Sequence, residues 1–142
     1  MKMENKSFKI IIDTNIWISF LIGKNLKGLQ KHIYSSAIKI IVCDEQIKEL
    51  MDVFNKPKLK KYFSKEQILE FFDLLNEASV NIKITTITDL CRDKKDNYLL
   101  SLAIDSGADF IITGDNDLLE LVKLNDTVIL KFTEFEKVIL KK

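Results

Sequence analysis

Asp13 interrupts an apolar stretch, KIIIDTNIWISFL (Lys9 to Leu21), and no basic residue follows it before Lys24. A carboxylate in such a run is costly to bury unless it is paired or binds a metal. Four more acids follow later apolar runs: Glu49, Asp96, and the pair Asp115 and Asp117 in TGDND. Carboxylates gathered within ~4–6 Å repel one another, so such a cluster protonates in part or binds a hard cation. Ligation by oxygen alone suits Mg²⁺ or Mn²⁺, which keep some waters and accept phosphate oxygens. A pair of such ions orients a water and stabilises in-line displacement at phosphorus, so hydrolysis of a phosphodiester is the natural reaction.

Other chemistries lack their residues. The single histidine, His32, excludes a metal-free ribonuclease built on a histidine pair, and Arg92 is the sole arginine, so there is no arginine clamp. The chain has no GxGxxG after a strand, no GxxxxGK[ST] loop and no GxSxG elbow. Cys43 and Cys91 have no metal-ligand spacing and read as unpaired thiols of a reducing cytosol rather than as a disulfide.

The elements that must carry the acids alternate. FKIII (Phe8 to Ile12), IKIIVC (Ile38 to Cys43), VNIKIT (Val80 to Thr85), FIIT (Phe110 to Thr113) and TVILKF (Thr127 to Phe132) read as five short strands. Between them lie helical patterns. Ile47, Leu50, Met51 and Phe54 repeat at helical spacing, as do Ile68, Phe71, Phe72 and Leu75 behind a capping box at Ser64 and Gln67. Pro57 ends the helix before it. Asn97 to Ser106 is helical and stops at Gly107, and Thr133 with Glu136 would cap a last short helix. Strand–helix alternation implies a mostly parallel sheet covered on both faces, in one domain over residues 1–142. Strand order does not follow from the pattern.

In such a sheet each strand's carboxyl end and the next helix's amino end share one rim, where ligands bind. Asp13 follows the first strand, Glu49 lies in the second turn of the helix after the second, Asp96 opens the helix after the third, and Asp115 and Asp117 follow the fourth. Asp44, Asp89 and Asp93 share the rim. Each candidate also has a plainer reading. Asp13 could cap the next helix with Asn15 helping the turn, and Asp115 or Asp117 could cap a helix running to Val122. Asp96 continues the face of Leu99, Leu100 and Ala103, yet an acid at a helix start is favoured by the dipole alone, with Asp93 as the cap. Glu49 lies away from the stripe of its helix and suits a solvated face. Only the recurrence of acids at one rim favours function.

The net charge of +1 rules out a broadly cationic surface, so nucleic-acid contact needs a local patch. The basic charge is lysine. Lys56, Lys58, Lys60 and Lys61 in KPKLKK, and Lys94 with Lys95 beside Asp96, could steer a phosphate backbone toward the rim or be plain solvated surface. Trp17, Phe20 and Tyr98 could stack on bases, although Trp17 and Phe20 suit a core. With 46% hydrophobic and 30% charged residues the 142-residue chain reads as globular. No segment reaches the ~18 apolar residues of a membrane span and the early apolar run lacks a cleavage site, so the cytoplasm is the expected compartment.

Taken together these residues resemble the PIN-domain family of small metal-dependent nucleases, over nearly the whole chain from Phe8. IIIDTNIW is similar to the family's opening strand and first aspartate, and KELMDVFNKPKL to its glutamate helix. RDKKDNYLLSLAIDSGADFIITGDNDLL resembles the block holding its third and fourth acids. The resemblance implies Asp13, Glu49, Asp96 and Asp115 as the catalytic metal-binding quartet, Asp117 as an accessory acid, and Asn15 and Thr113 as polar supports. It implies a three-layer α/β/α fold and Mg²⁺- or Mn²⁺-dependent cleavage of single-stranded RNA. It also implies a toxin of a toxin–antitoxin pair, often a dimer held inactive by a small antitoxin protein. A phosphoacceptor receiver domain is a rival, since Thr113 and Lys131 fit loosely, but VNIKITT lacks the acceptor aspartate. A haloacid-dehalogenase-like phosphatase needs an aspartate where Asn15 stands. A PIN-like module that only binds is a third.

Overall fold

The computed structural model of the protein describes residues 7–22, 31, 37–91 and 96–140. Strand β1 (Phe8–Ile12) lies at the middle of the sheet, with Ile10, Ile11 and Ile12 fully buried. Side chains alternate across a strand, and here both faces are covered: Ile10 and Ile12 enter one core and Ile11 the other. That is why FKIII is a solid apolar run instead of an alternating one.

Strands β2 (Ile38–Val42), β3 (Ser79–Asn81), β4 (Phe110–Ile112), β5 (Lys123–Leu124) and β6 (Thr127–Leu130) complete a six-stranded sheet in the order β3-β2-β1-β4-β6-β5. All pairings are parallel except β5 with β6. The chain builds outward from β1 to β3, then returns to β1's other side with β4. Strand order therefore reverses between β1 and β4, and that switch point opens a crevice at the carboxyl ends of the two strands.

Seven helices occur among the described residues: α1 (Thr14–Ile22), α2 (Asp44–Phe54), α3 (Pro57–Lys60), α4 (Lys65–Ala78), α5 (Asn97–Ser106), α6 (Asn116–Leu119) and α7 (Phe132–Leu140). Helices α1, α2, α4 and α7 supply one core, where Trp17, Phe20, Leu50, Phe54, Phe71 and Phe135 pack on Ile10, Ile12 and Val42. Trp17 lies edge-on to Phe71 at 5.5 Å and Phe20 to Phe132 at 4.7 Å, so both are core residues, not exposed stacking platforms. Helix α5 covers the other face through Leu99, Leu100, Leu102 and Ala103. Cys43 and Cys91 sit in that second core with no disulfide between them, and burial pushes the Cys43 thiol up to about 12.

Local signals act as their chemistry requires. Ser64 Oγ accepts from Gln67 N at 3.1 Å while Ser64 N donates to Gln67 Oε1 at 2.8 Å, the reciprocal box that starts α4. Gly107 ends α5 in the left-handed region at φ 66°, with its N–H on the Ala103 carbonyl. Pro57 both ends the preceding helix and starts α3, where its missing N–H costs nothing.

Three expectations change. The sheet has six strands because the Leu124–Thr127 pair closes a short antiparallel hairpin, with Asn125 at φ 53° in its turn. The third strand is Ser79–Asn81, not Val80 to Thr85. Ile82 N makes the last bond, to the Val42 carbonyl at 2.9 Å. Beyond it, the Thr85 and Thr86 N–H groups turn to the Asp105 carboxylate, at 2.6 and 2.9 Å. The last helix starts at Phe132, and Glu134, not Glu136, reaches back to the Lys131 N–H at 3.1 Å. Among the described residues no helix is long and apolar enough to cross a membrane.

Candidate active site

Asp13 is the first residue beyond β1. Its N–H donates to the Ile112 carbonyl at 2.9 Å, extending the β1–β4 contact, and its own carbonyl accepts from Ile16 and Trp17 to begin α1. The side chain is 4% exposed. Thr113 Oγ1 donates to its Oδ2 at 2.7 Å, and the Asn15 backbone N–H also bonds the carboxylate. Burial nevertheless raises the Asp13 carboxyl above the usual range, and the charges of Glu49 and Asp115 push it the same way. The two hydrogen bonds oppose this without cancelling it. Asp13 thus stands at the helix-cap position, yet its ionised form is disfavoured there.

Thr113, fully buried, ties the two strand ends together. It donates to Asp13 and accepts from the Asp115 N–H at 3.0 Å. Asp115 Oδ1 in turn accepts from Asp117 N at 2.8 Å and caps α6. An open cleft of about 300 Å³ results, lined by Asp13, Asn15, Ile16, Ser19, Gly114 and Asp115. It lies at the switch point between β1 and β4. Asp117 is half-buried in the first turn of α6 and does not line it.

Glu49 is not on a solvated face. Its Oε1 accepts from Thr14 Oγ1 at 2.5 Å and from the Tyr98 hydroxyl at 2.6 Å. The inward face of α2 is Gln46, Leu50 and Phe54, while Met51 is 52% exposed. The sequence stripe misplaced this face because Gln46 is buried for a polar reason. Its Nε2 donates to the Ile12 carbonyl at 2.6 Å, beneath Asp13. Burial and the Glu49 bond both raise the Tyr98 hydroxyl, so it stays a donor. Tyr98 is therefore committed to Glu49 through its hydroxyl.

Asp96 is half-buried at the start of α5, two residues before Tyr98. Its backbone occupies the cap position, but its side chain makes no capping hydrogen bond. Lys56, Lys58, Lys60 and Lys61 are all exposed, and Lys61 Nζ stands 5.9 Å over the Tyr62 ring. Helix α2 leads away from the rim, so this run begins beyond its far end, about 10 Å along the axis from Glu49. His32, Arg92, Asp93, Lys94 and Lys95 lie outside the described residues.

The structure thus brings Asp13, Asn15 and Asp115 to one cleft, with Thr113 buried and bonded to both aspartates and Glu49 near enough for its charge to act on Asp13. A donor set of carboxylate oxygens, one of them buried against like charge, fits a hard divalent cation. Among the described residues no three His, Cys, Asp or Glu side chains already converge closely enough to hold an ion. Thr14, Ser19, Gln46 and Gly114 escaped the sequence reading. Ser19 had a usable signal, lying one turn beyond Asn15 on α1; a buried glutamine had none.

A mostly parallel sheet with carboxylates at its switch point defines an α/β protein with an acidic rim. The chain belongs to the PIN domain family, whose profile matches residues 9–117. Uncharacterized protein MJ1680 of Methanocaldococcus jannaschii is 37% identical over 123 residues, covering 84% of this chain and 79% of its own length. No solved structure matches the chain. PIN domains are in general metal-dependent nucleases that bind nucleic acid, which sets aside the receiver and phosphatase rivals.

Proposed function

We propose that the protein is a Mg²⁺- or Mn²⁺-dependent endoribonuclease of single-stranded RNA, acting as one nuclease domain over its 142 residues. The observation that carries this is Asp13: a buried carboxylate, pressed by Glu49 and Asp115, at the mouth of the switch-point cleft. Asp13, Glu49, Asp96 and Asp115 would hold the cation, with Asp117 accessory. When bound, the cation supplies charge to offset the phosphate's and to polarise an attacking water. Thr113 fixes the Asp13 carboxylate and the Asp115 backbone in one geometry. Asn15, exposed on the cleft wall, offers an amide to the RNA backbone, while the neighbouring Ser19 Oγ donates to the Asn15 carbonyl at 3.0 Å. The lysines of KPKLKK, with Lys94 and Lys95, supply long-range attraction for the strand.

In the cytoplasm such an activity suits the toxin of a toxin–antitoxin pair, held inactive by a small antitoxin, with the toxin itself a homodimer. The test is cleavage of a labelled single-stranded RNA by wild type and by Asp13→Asn, Glu49→Gln, Asp96→Asn and Asp115→Asn, in Mn²⁺ and in chelator. Wild type should cut only with metal, and the four folded variants should not. Near-wild-type turnover by Asp13→Asn or Asp115→Asn would reduce those acids to helix caps. RNA binding without cleavage would make the protein a binding module. Slowed growth on expression of wild type but not of Asp96→Asn supports the toxin role; equal growth at equal expression overturns it.

A further inference from the structure

One oxygen of Glu49 is clasped by hydroxyls from two other helices. Thr14 Oγ1, at the start of α1, and the Tyr98 hydroxyl, in the first turn of α5, donate to Oε1 at 2.5 and 2.6 Å. The two hydroxyls lie 3.4 Å apart, so the three oxygens form a closed triangle linking α1, α2 and α5. Thr14 is 4% exposed, and Tyr98 and Glu49 are half-buried, so water competes weakly for these bonds. Without the clasp, a glutamate one and a half turns into a helix has three free torsions and reaches solvent readily.

We infer that Tyr98 and Thr14 are positioning residues that spend Oε1 on the scaffold and leave Oε2 of Glu49 as the oxygen offered to the cation. This rests on the metal-dependent reading proposed above. Carboxylate ligands are commonly held by such outer hydrogen bonds, and losing one costs roughly 10–100-fold in metal affinity. Tyr98 does not touch the cation or the RNA in this assignment. It acts through Glu49, and it also ties the helix that begins at Asp96 to the helix that carries Glu49. Loss of the hydroxyl should therefore loosen the metal site while leaving the ring's packing intact.

The test is Mn²⁺ affinity measured by titration calorimetry on the full chain, for wild type, Glu49→Gln, Tyr98→Phe, Thr14→Val and Thr14→Ser. Tyr98→Phe and Thr14→Val should each weaken binding about tenfold. Thr14→Ser, which keeps the hydroxyl, should restore it. Melting in chelator should not fall in step, because a merely structural residue would lower stability and leave the affinity of the folded fraction unchanged. If Glu49→Gln abolishes binding while Tyr98→Phe and Thr14→Val stay within twofold of wild type, the positioning role is wrong and the metal reading survives. If wild type binds no Mn²⁺, both fall.

Discussion

Replacing Asp13 by Asn should stabilise the metal-free protein and destabilise the metal-bound one. Asn keeps the shape, and its single amide oxygen can still accept from Thr113 Oγ1 or from the Asn15 N–H. What it removes is the charge, and with it the desolvation that dominates the Asp13 environment together with repulsion from Glu49 and Asp115. Against this stands the lost attraction of a carboxylate for the start of α1, worth about 0.3–1 kcal/mol. The folded carboxyl is raised above its ordinary value of 3.8, so the unfavourable terms win. Relief of strained active-site residues typically gains about 0.5–2 kcal/mol, which for a chain of this size shifts Tm by about 1–8 °C. The pH dependence follows. A group with a raised folded pKa contributes stability below its unfolded pKa and loses it as pH rises through the folded value. Wild type and variant should therefore melt together below about pH 3.8 and separate as the pH climbs toward neutral, the variant melting higher. In Mn²⁺ at a hundredfold excess over its dissociation constant, wild type gains about 2.7 kcal/mol and the variant little, so the order inverts. The assay is calorimetric melting across pH, in chelator and in Mn²⁺. An Asp13→Asn protein that melts lower than wild type at neutral pH in chelator would refute the reasoning.

Asp105, held below the usual carboxylate range by the Thr86 hydroxyl and the Thr85 and Thr86 N–H groups, contributes stability above its unfolded value of 3.8 and loses it as pH falls further. Asp105→Asn should flatten the acid limb of the stability curve and speed hydrogen exchange at Thr85 and Thr86; an unchanged limb would show that the contact stores nothing. At Gly107, φ is 66° and an added Cβ would meet no atom within 4 Å, so Gly107→Ala should cost only the backbone term, about 1–2 kcal/mol in urea melts, and Gly107→Asn less. Replacing Lys56, Lys58, Lys60 and Lys61 by Ala should weaken RNA binding and flatten its salt dependence by up to ~0.7 in log–log slope per lysine on a phosphate, with the rate at saturating RNA unchanged. An unaltered slope would assign the run to solvated surface.

Much of this architecture was legible because its signals are local. FKIII and the Ser64 box need only their own neighbours, and Gly107 needs only its φ. Strand order was not legible, since nothing in FKIII states whether FIIT or TVILKF lies beside it. Yet it is the β1–β4 adjacency that brings Asp13 to Thr113 and Asp115. Glu49 shows the limit most clearly. Helical periodicity ranks faces by apolarity, and α2 turns toward the core a glutamine whose Nε2 donates to the Ile12 carbonyl while exposing Met51. Glu49 follows Gln46 inward, where Thr14 and Tyr98 meet it from segments 35 and 49 residues away. TVILKF was legible as β6, but its hairpin partner β5 was missed because a strand of two residues carries too little pattern to outvote a loop.

The reaction itself is tested most directly by the ends it leaves. Hydrolysis by an attacking water held at the acidic rim should release RNA fragments with 5′-phosphate and 3′-hydroxyl termini, formed in Mn²⁺, absent in chelator and absent with Asp115→Asn. Fragments ending in 2′,3′-cyclic phosphate, or cleavage undiminished by chelator, would contradict a metal-dependent phosphodiesterase at this cleft.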